Sequence, residues 1–157
     1  MAITSTISIN TLADTITTNI YQNGSILIDT ITYTNSSNNL LFSNSIAAAT
    51  LSPAEYLVLL NLYINFNQII IAVYSPTQNI TAPFSSITFI QSDNGSNLNF
   101  EFLPGSIPCF YYSCGYPAGN IAVSARNLSA TLSYAQWLFF LYLLTNFKSA
   151  FLNDYNL

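Results

Sequence analysis

One stretch of this chain occurs twice, and that repetition limits the fold more than any other feature. Leu51-Ser52-Pro53-Ala54-Glu55-Tyr56-Leu57-Val58-Leu59-Leu60-Asn61-Leu62-Tyr63-Ile64-Asn65-Phe66-Asn67 returns as Leu132-Ser133-Tyr134-Ala135-Gln136-Trp137-Leu138-Phe139-Phe140-Leu141-Tyr142-Leu143-Leu144-Thr145-Asn146-Phe147-Lys148. The offset is 132 − 51 = 81 in a chain of 157 residues, and eight of the 17 aligned positions are identical. The same offset pairs Gly24-Ser25 with Gly105-Ser106 and Asn39-Leu40 with Asn120-Ile121. A long period repeated only twice marks a duplicated supersecondary unit, not a solenoid. The repeats run over about 1–76 and 82–157. Each is too small to bury an adequate core alone, so the two are expected to fold as a single domain over 1–157.

Each repeat reads as strands followed by a helix. Apolar and polar residues alternate through Ile3-Thr4-Ser5-Thr6-Ile7-Ser8-Ile9, a half-buried strand, and more loosely through residues 15–21. Asn23-Gly24 is a strong hairpin signal leading into a third alternating strand, residues 25–33. A turn at Asn35-Ser36-Ser37-Asn38 precedes a short fourth strand, Leu40-Leu41-Phe42. Ser52-Pro53-Ala54-Glu55 then opens a helix as a capping box, with Ser52 and Glu55 satisfying the free backbone donors of the first turn. Ser133 and Gln136 keep that chemistry in the second copy. Strands at 85–91, 97–103, 106–112 and 120–125, then a helix over 134–152, repeat the order. Residues 69–74 read either as an extra strand or as a continuation of the first helix. The fold class is therefore α+β, an internal duplication of two β-β-β-β-α units packed as a pseudo-dimer.

That order of elements resembles the tandem ββββα repeats of the Whirly and Pur-type proteins, whose units pack around their helices. The resemblance implies single-stranded nucleic-acid binding. Charge argues against it. A phosphate backbone is held by several Lys or Arg, whereas this chain has two basic residues, Arg126 and Lys148, and a net charge of −4. Tyr111, Tyr112 and Tyr116 would be the stacking aromatics.

Only 5% of residues are charged, against about 25% in an average soluble protein. Asn, Ser and Thr supply the polar surface instead. Such a surface has little to titrate, so the melting temperature is expected to shift little between neutral pH and about pH 3. It also lacks the charge repulsion that keeps proteins apart. This makeup is similar to that of structural proteins of archaeal viruses and of extracellular appendages.

Chemistry has little to work with. There is no histidine, which removes the imidazole base, the Ser-His triad and the usual zinc site. The carboxylates Asp14, Asp29, Glu55, Asp93, Glu101 and Asp154 form no pair that the repeat supports. No catalytic residue, cofactor or metal ligand is expected, and the protein is read as not an enzyme. Cys109 and Cys114 would form a local disulfide if Pro108 and the Cys114-Gly115-Tyr116-Pro117 turn curl the segment; on a regular strand they stay two buried thiols.

Both helices look apolar all round, which places them inside a core, at an interface or in a membrane. The uncharged stretch around the second helix is interrupted by Gln136, Thr145 and Asn146 and is short for a membrane span. Trp137, Phe140, Leu141 and Leu144 are therefore assigned in part to contact with another subunit. The N-terminus shows no signal peptide, implying cytoplasmic synthesis without classical secretion. The leading expectation is a non-enzymatic, self-assembling structural subunit of a virion or extracellular assembly, with itself as partner. The alternative is a binding module for single-stranded nucleic acid or a small partner in the groove between repeats.

Overall fold

The computed structural model describes residues 2–43, 48–75, 87–93, 97–104, 109–115, 119–124 and 129–155. Five strands come first: β1 (Ile3–Asn10), β2 (Thr15–Gln22), β3 (Ile26–Thr34), β4 (Asn39–Ser43) and β5 (Ala48–Leu51), followed by α1 (Pro53–Tyr74). The second half repeats them as β6 (Ile87–Asp93), β7 (Asn97–Pro104), β8 (Phe110–Gly115), β9 (Ile121–Ser124) and β10 (Ser129–Ser133), followed by α2 (Tyr134–Tyr155). Both helices are 22 residues long. The α+β duplication read from the sequence is what the chain adopts.

Among the described residues each half has one strand more than expected, and that strand leaves its own half. The sheets run β1-β2-β3-β4-β10 and β5-β9-β8-β7-β6, all antiparallel. Thus β10 of the second half pairs with β4 of the first, Leu132 opposite Leu40. In exchange β5 of the first half pairs with β9 of the second, Leu51 opposite Ile121. The strand before each helix crosses to the other half's sheet. Residues 69–74 continue α1.

Local chemistry explains the boundaries. Asn23 and Gly24 both have left-handed backbone, φ 56° and 73°, the type I′ geometry that suits a hairpin. The α1 capping box is complete: the Glu55 amide donates to Ser52 Oγ (3.2 Å) and the Ser52 amide donates to Glu55 Oε1 (3.1 Å). The second box matches it, with the Gln136 amide on Ser133 Oγ (3.2 Å) and the Ser133 amide on Gln136 Oε1 (2.9 Å). At α1's other end Ser75 takes φ 43° and its amide donates to the Ile71 carbonyl, 2.8 Å.

Burial follows the repeat residue by residue. At the same spacing Tyr56 matches Trp137, Leu59 Phe140, Leu60 Leu141, Tyr63 Leu144, Phe66 Phe147 and Ile70 Phe151, and every one of these side chains is buried. In the strands Ile31 matches Tyr112, Tyr33 Cys114, Leu40 Ile121 and Phe42 Val123, again all buried. Aromatic rings join the layers. Phe42 of the first sheet meets Phe110 of the second edge-on at 4.8 Å, and Trp137 and Phe140 of α2 close around Phe42 at 5.1 and 5.7 Å. Phe102 and Phe100 of β7 lie against Phe140 and Phe147 at 4.4 and 4.9 Å.

Trp137, Phe140, Leu141 and Leu144, assigned in part to contact with another subunit, are all buried within the chain's own core. The helices are not apolar all round. Asn61, Asn65 and Gln68 form an exposed stripe on α1, and Thr145, Asn146 and Ser149 do so on α2. Helix α1 is long and apolar enough to cross a membrane by length and composition, but its other face packs on β1, β2, β5 and α2.

Candidate functional site

Three buried polar side chains, Asp29, Tyr63 and Tyr112, meet in the interior. Asp29 lies on β3, on the face that Ile31 and Tyr33 also present inward. A register shift at Ile20/Tyr21 leaves Ile28 without a partner on β2, so Ile28 and Asp29 are both buried in succession. Tyr63, descending from α1, donates its hydroxyl to Asp29 Oδ2 at 2.8 Å. That hydroxyl also lies 3.2 Å from the Tyr112 hydroxyl of β8, so the chain of groups links both sheets through a helix. Asp29 Oδ1 is buried with no hydrogen-bond partner among the described residues.

Burial decides the charge state. Removal from water pushes the Asp29 carboxyl from 3.8 to about 7, although the Tyr63 hydroxyl and the Thr30 backbone pull the other way. Burial likewise raises Tyr63 and Tyr112 well above the ordinary phenol range. The uniform indifference to pH expected from composition therefore has an exception in Asp29. The duplication does not extend to this cluster: Asp29, Tyr63 and Tyr112 correspond to Phe110, Leu144 and Ile31. The first half supplies Asp29 and Tyr63 and the second supplies Tyr112, while each position's counterpart is apolar.

The other candidate groups are dispersed. Glu55 serves its capping box and also receives Gln22 Nε2 at 3.5 Å. Asp14 sits in the β1–β2 turn with φ 58°, Glu101 is half-buried on β7, and Asp154 is exposed near the end of α2. Cys109 and Cys114 are free and buried; Cys114 lies on the regular strand β8, and burial pushes both thiols up, away from the reactive thiolate. No group of three or more metal-ligating side chains and no salt bridge occurs among the described residues.

The groove between the helices, lined by Leu60, Ile64, Leu141, Leu144, Thr145 and Lys148, offers about 10 Å³, room for roughly one water. Tyr112 is 0% exposed and cannot stack on a base. Tyr111 is half-buried and donates to Asn99 Oδ1 at 3.3 Å, while Tyr116 lies outside the described residues. A larger hollow of about 210 Å³ opens beside the start of α1, lined by Ala2, Ile3, Ser52, Ala54, Glu55 and Val58. Its one ionisable group, Glu55, is already engaged in the cap.

The surface feature that stands out is β1. It is an outer strand of the first sheet, paired with β2 along all eight residues without a bulge. It contains no charged residue, no proline and no glycine. Only Ile3 is buried, while Ile7 and Ile9 are 41% and 49% exposed although they sit opposite the buried Thr18 and Ile16. The inner face of the sheet thus runs out from under its helix at this edge. The sequence showed the alternation of β1, but alternation alone does not distinguish an inner strand from an outer one.

Comparison with protein-family models, with curated proteins and with solved structures gives no match.

Proposed function

We propose that this protein is a non-enzymatic structural subunit that assembles with copies of itself, in a virion or an extracellular assembly. The observation that supports this most is β1: an eight-residue, uncharged, unbulged strand at the edge of a sheet. Soluble proteins that stay apart ordinarily guard such edges with Lys, Pro or a bulge, because open amides and carbonyls template another strand. With 5% charged residues, the rest of the chain adds little repulsion to oppose association.

The interior supports the same reading. Its polar cluster is sealed from solvent, and its thiols are buried. The likeness in element order to Whirly and Pur-type proteins supports a pseudo-dimeric core. It does not bring nucleic-acid binding with it, given the burial of Tyr112 and the scarcity of cations. Sedimentation velocity over a hundredfold range of protein concentration tests the proposal. Species heavier than the monomer should grow with concentration, and a strict monomer throughout would remove self-assembly as the function.

A further inference from the structure

We infer that β1 is the assembly contact and that its occupant is β1 of a second copy, paired antiparallel across a twofold axis through Thr6. This rests on the self-assembly reading and goes further by fixing the surface, the partner and the register.

The argument begins with which backbone groups are free. The Asn23 amide donates to the Ala2 carbonyl at 2.9 Å, so Ala2 and Asn23 form a hydrogen-bonded pair of the β1–β2 ladder. Hydrogen-bonded and non-hydrogen-bonded pairs alternate along an antiparallel ladder. With Ile3 opposite Gln22 and Asn10 opposite Thr15, the residues turned toward β2 are therefore Thr4, Thr6, Ser8 and Asn10. The amides and carbonyls of Ile3, Ser5, Ile7 and Ile9 point away from the sheet. Among the described residues no strand pairs with these four, and they compose the open edge.

A second β1 meets that edge without remainder. Centred on Thr6, antiparallel pairing sets Ile3 opposite Ile9 of the other copy and Ser5 opposite Ile7. These are hydrogen-bonded pairs in which every outward amide finds a carbonyl. The same register lays the half-exposed Ile7 and Ile9 beside Ser5 and Ile3 of the other copy, on the face that already continues into the core. The strand carries no charge, so two identical edges approach without repulsion, and recognition of a charged partner has no purchase there. The fold itself already joins its two halves by antiparallel strand addition, β10 onto β4 and β5 onto β9. The product is an isologous dimer with one continuous sheet across both copies.

The register can be tested by cross-linking. Thr6 would face Thr6 of the second copy in a non-hydrogen-bonded pair, where the Cα atoms are about 4.5 Å apart and a disulfide fits. Ser8 would face Thr4 instead. Thr6→Cys should therefore form an intermolecular disulfide under mild oxidation at least tenfold faster than Ser8→Cys, while the native thiols are buried and do not compete. Ser5→Pro removes one outward amide and spares the bonds to β2; it should weaken association at least tenfold. Leu12→Lys, on the exposed turn beyond the strand, should leave association unchanged. Equal cross-linking of the two cysteine variants would overturn the register. Wild-type association by a folded Ser5→Pro would overturn the contact and leave self-assembly standing. If Ser5→Pro fails to fold, the cysteine pair decides. A wild-type chain that is monomeric at every concentration would overturn both readings.

Discussion

Asp29 shows how one side chain can set the pH response of a nearly uncharged protein. Its carboxyl titrates near 7 in the fold, against 3.8 ordinarily, so the folded chain holds a proton that the unfolded chain has lost over that interval. The stabilisation is fully present below about pH 4 and disappears as pH rises through about 7. The shift corresponds to an upper bound of about 4 kcal/mol. The melting temperature should therefore rise as pH is lowered from 8 to 5; a flat or falling profile would show that Asp29 is ionised and solvated. Asp29→Asn should flatten the profile and be the more stable protein at pH 8, because a neutral amide needs no proton. Tyr63→Phe removes the hydroxyl that favours the carboxylate. Its loss of stability should be larger at pH 8 than at pH 5 in thermal melts at the two pH values. Asp29 was within reach of the sequence, since it has the same parity as Ile31 and Tyr33 on an alternating strand. Its partners were not. Tyr63 and Tyr112 come from a helix and from the other half of the chain.

At the scale of elements, the helix starts were the most legible feature, because a capping box is a local arrangement written in four consecutive residues. Ser52→Ala and Ser133→Ala should each cost about 1 kcal/mol in chemical denaturation. Equal losses in the two variants would show that the two boxes are energetically equivalent. The crossing strands were not legible. Residues 48–51 and 129–133 lie directly before the caps and are too short for alternation to mark them as strands. Their destination depends on which sheet has a free edge after the halves dock, and no local pattern records that. The crossing has a consequence for folding. A polypeptide of residues 1–75 lacks β10 and carries β5 with no partner strand. It should show no cooperative unfolding transition by circular dichroism. A cooperative melt of that fragment would mean that the exchange of strands is dispensable.

For the molecule as a whole, the apolar bulk of α2 is used internally. Phe140 packs on Phe42, Phe102 and Phe110 with no exposed surface. Phe140→Ala should then cost about 3–5 kcal/mol of stability, and Phe140→Asp should unfold the chain instead of releasing folded monomers. Gel filtration with circular dichroism separates those outcomes. With the apolar face of α2 committed to the core, the proposed association falls to the open strand edge. Hydrogen exchange of individual β1 amides, followed by NMR across a dilution series, addresses that claim most directly. The amides of Thr4, Thr6 and Ser8, bonded to β2, should stay protected at every concentration. Those of Ser5, Ile7 and Ile9 should be protected when the protein is concentrated and exchange rapidly once it is dilute. Rapid exchange of these three amides at all concentrations would contradict assembly through β1.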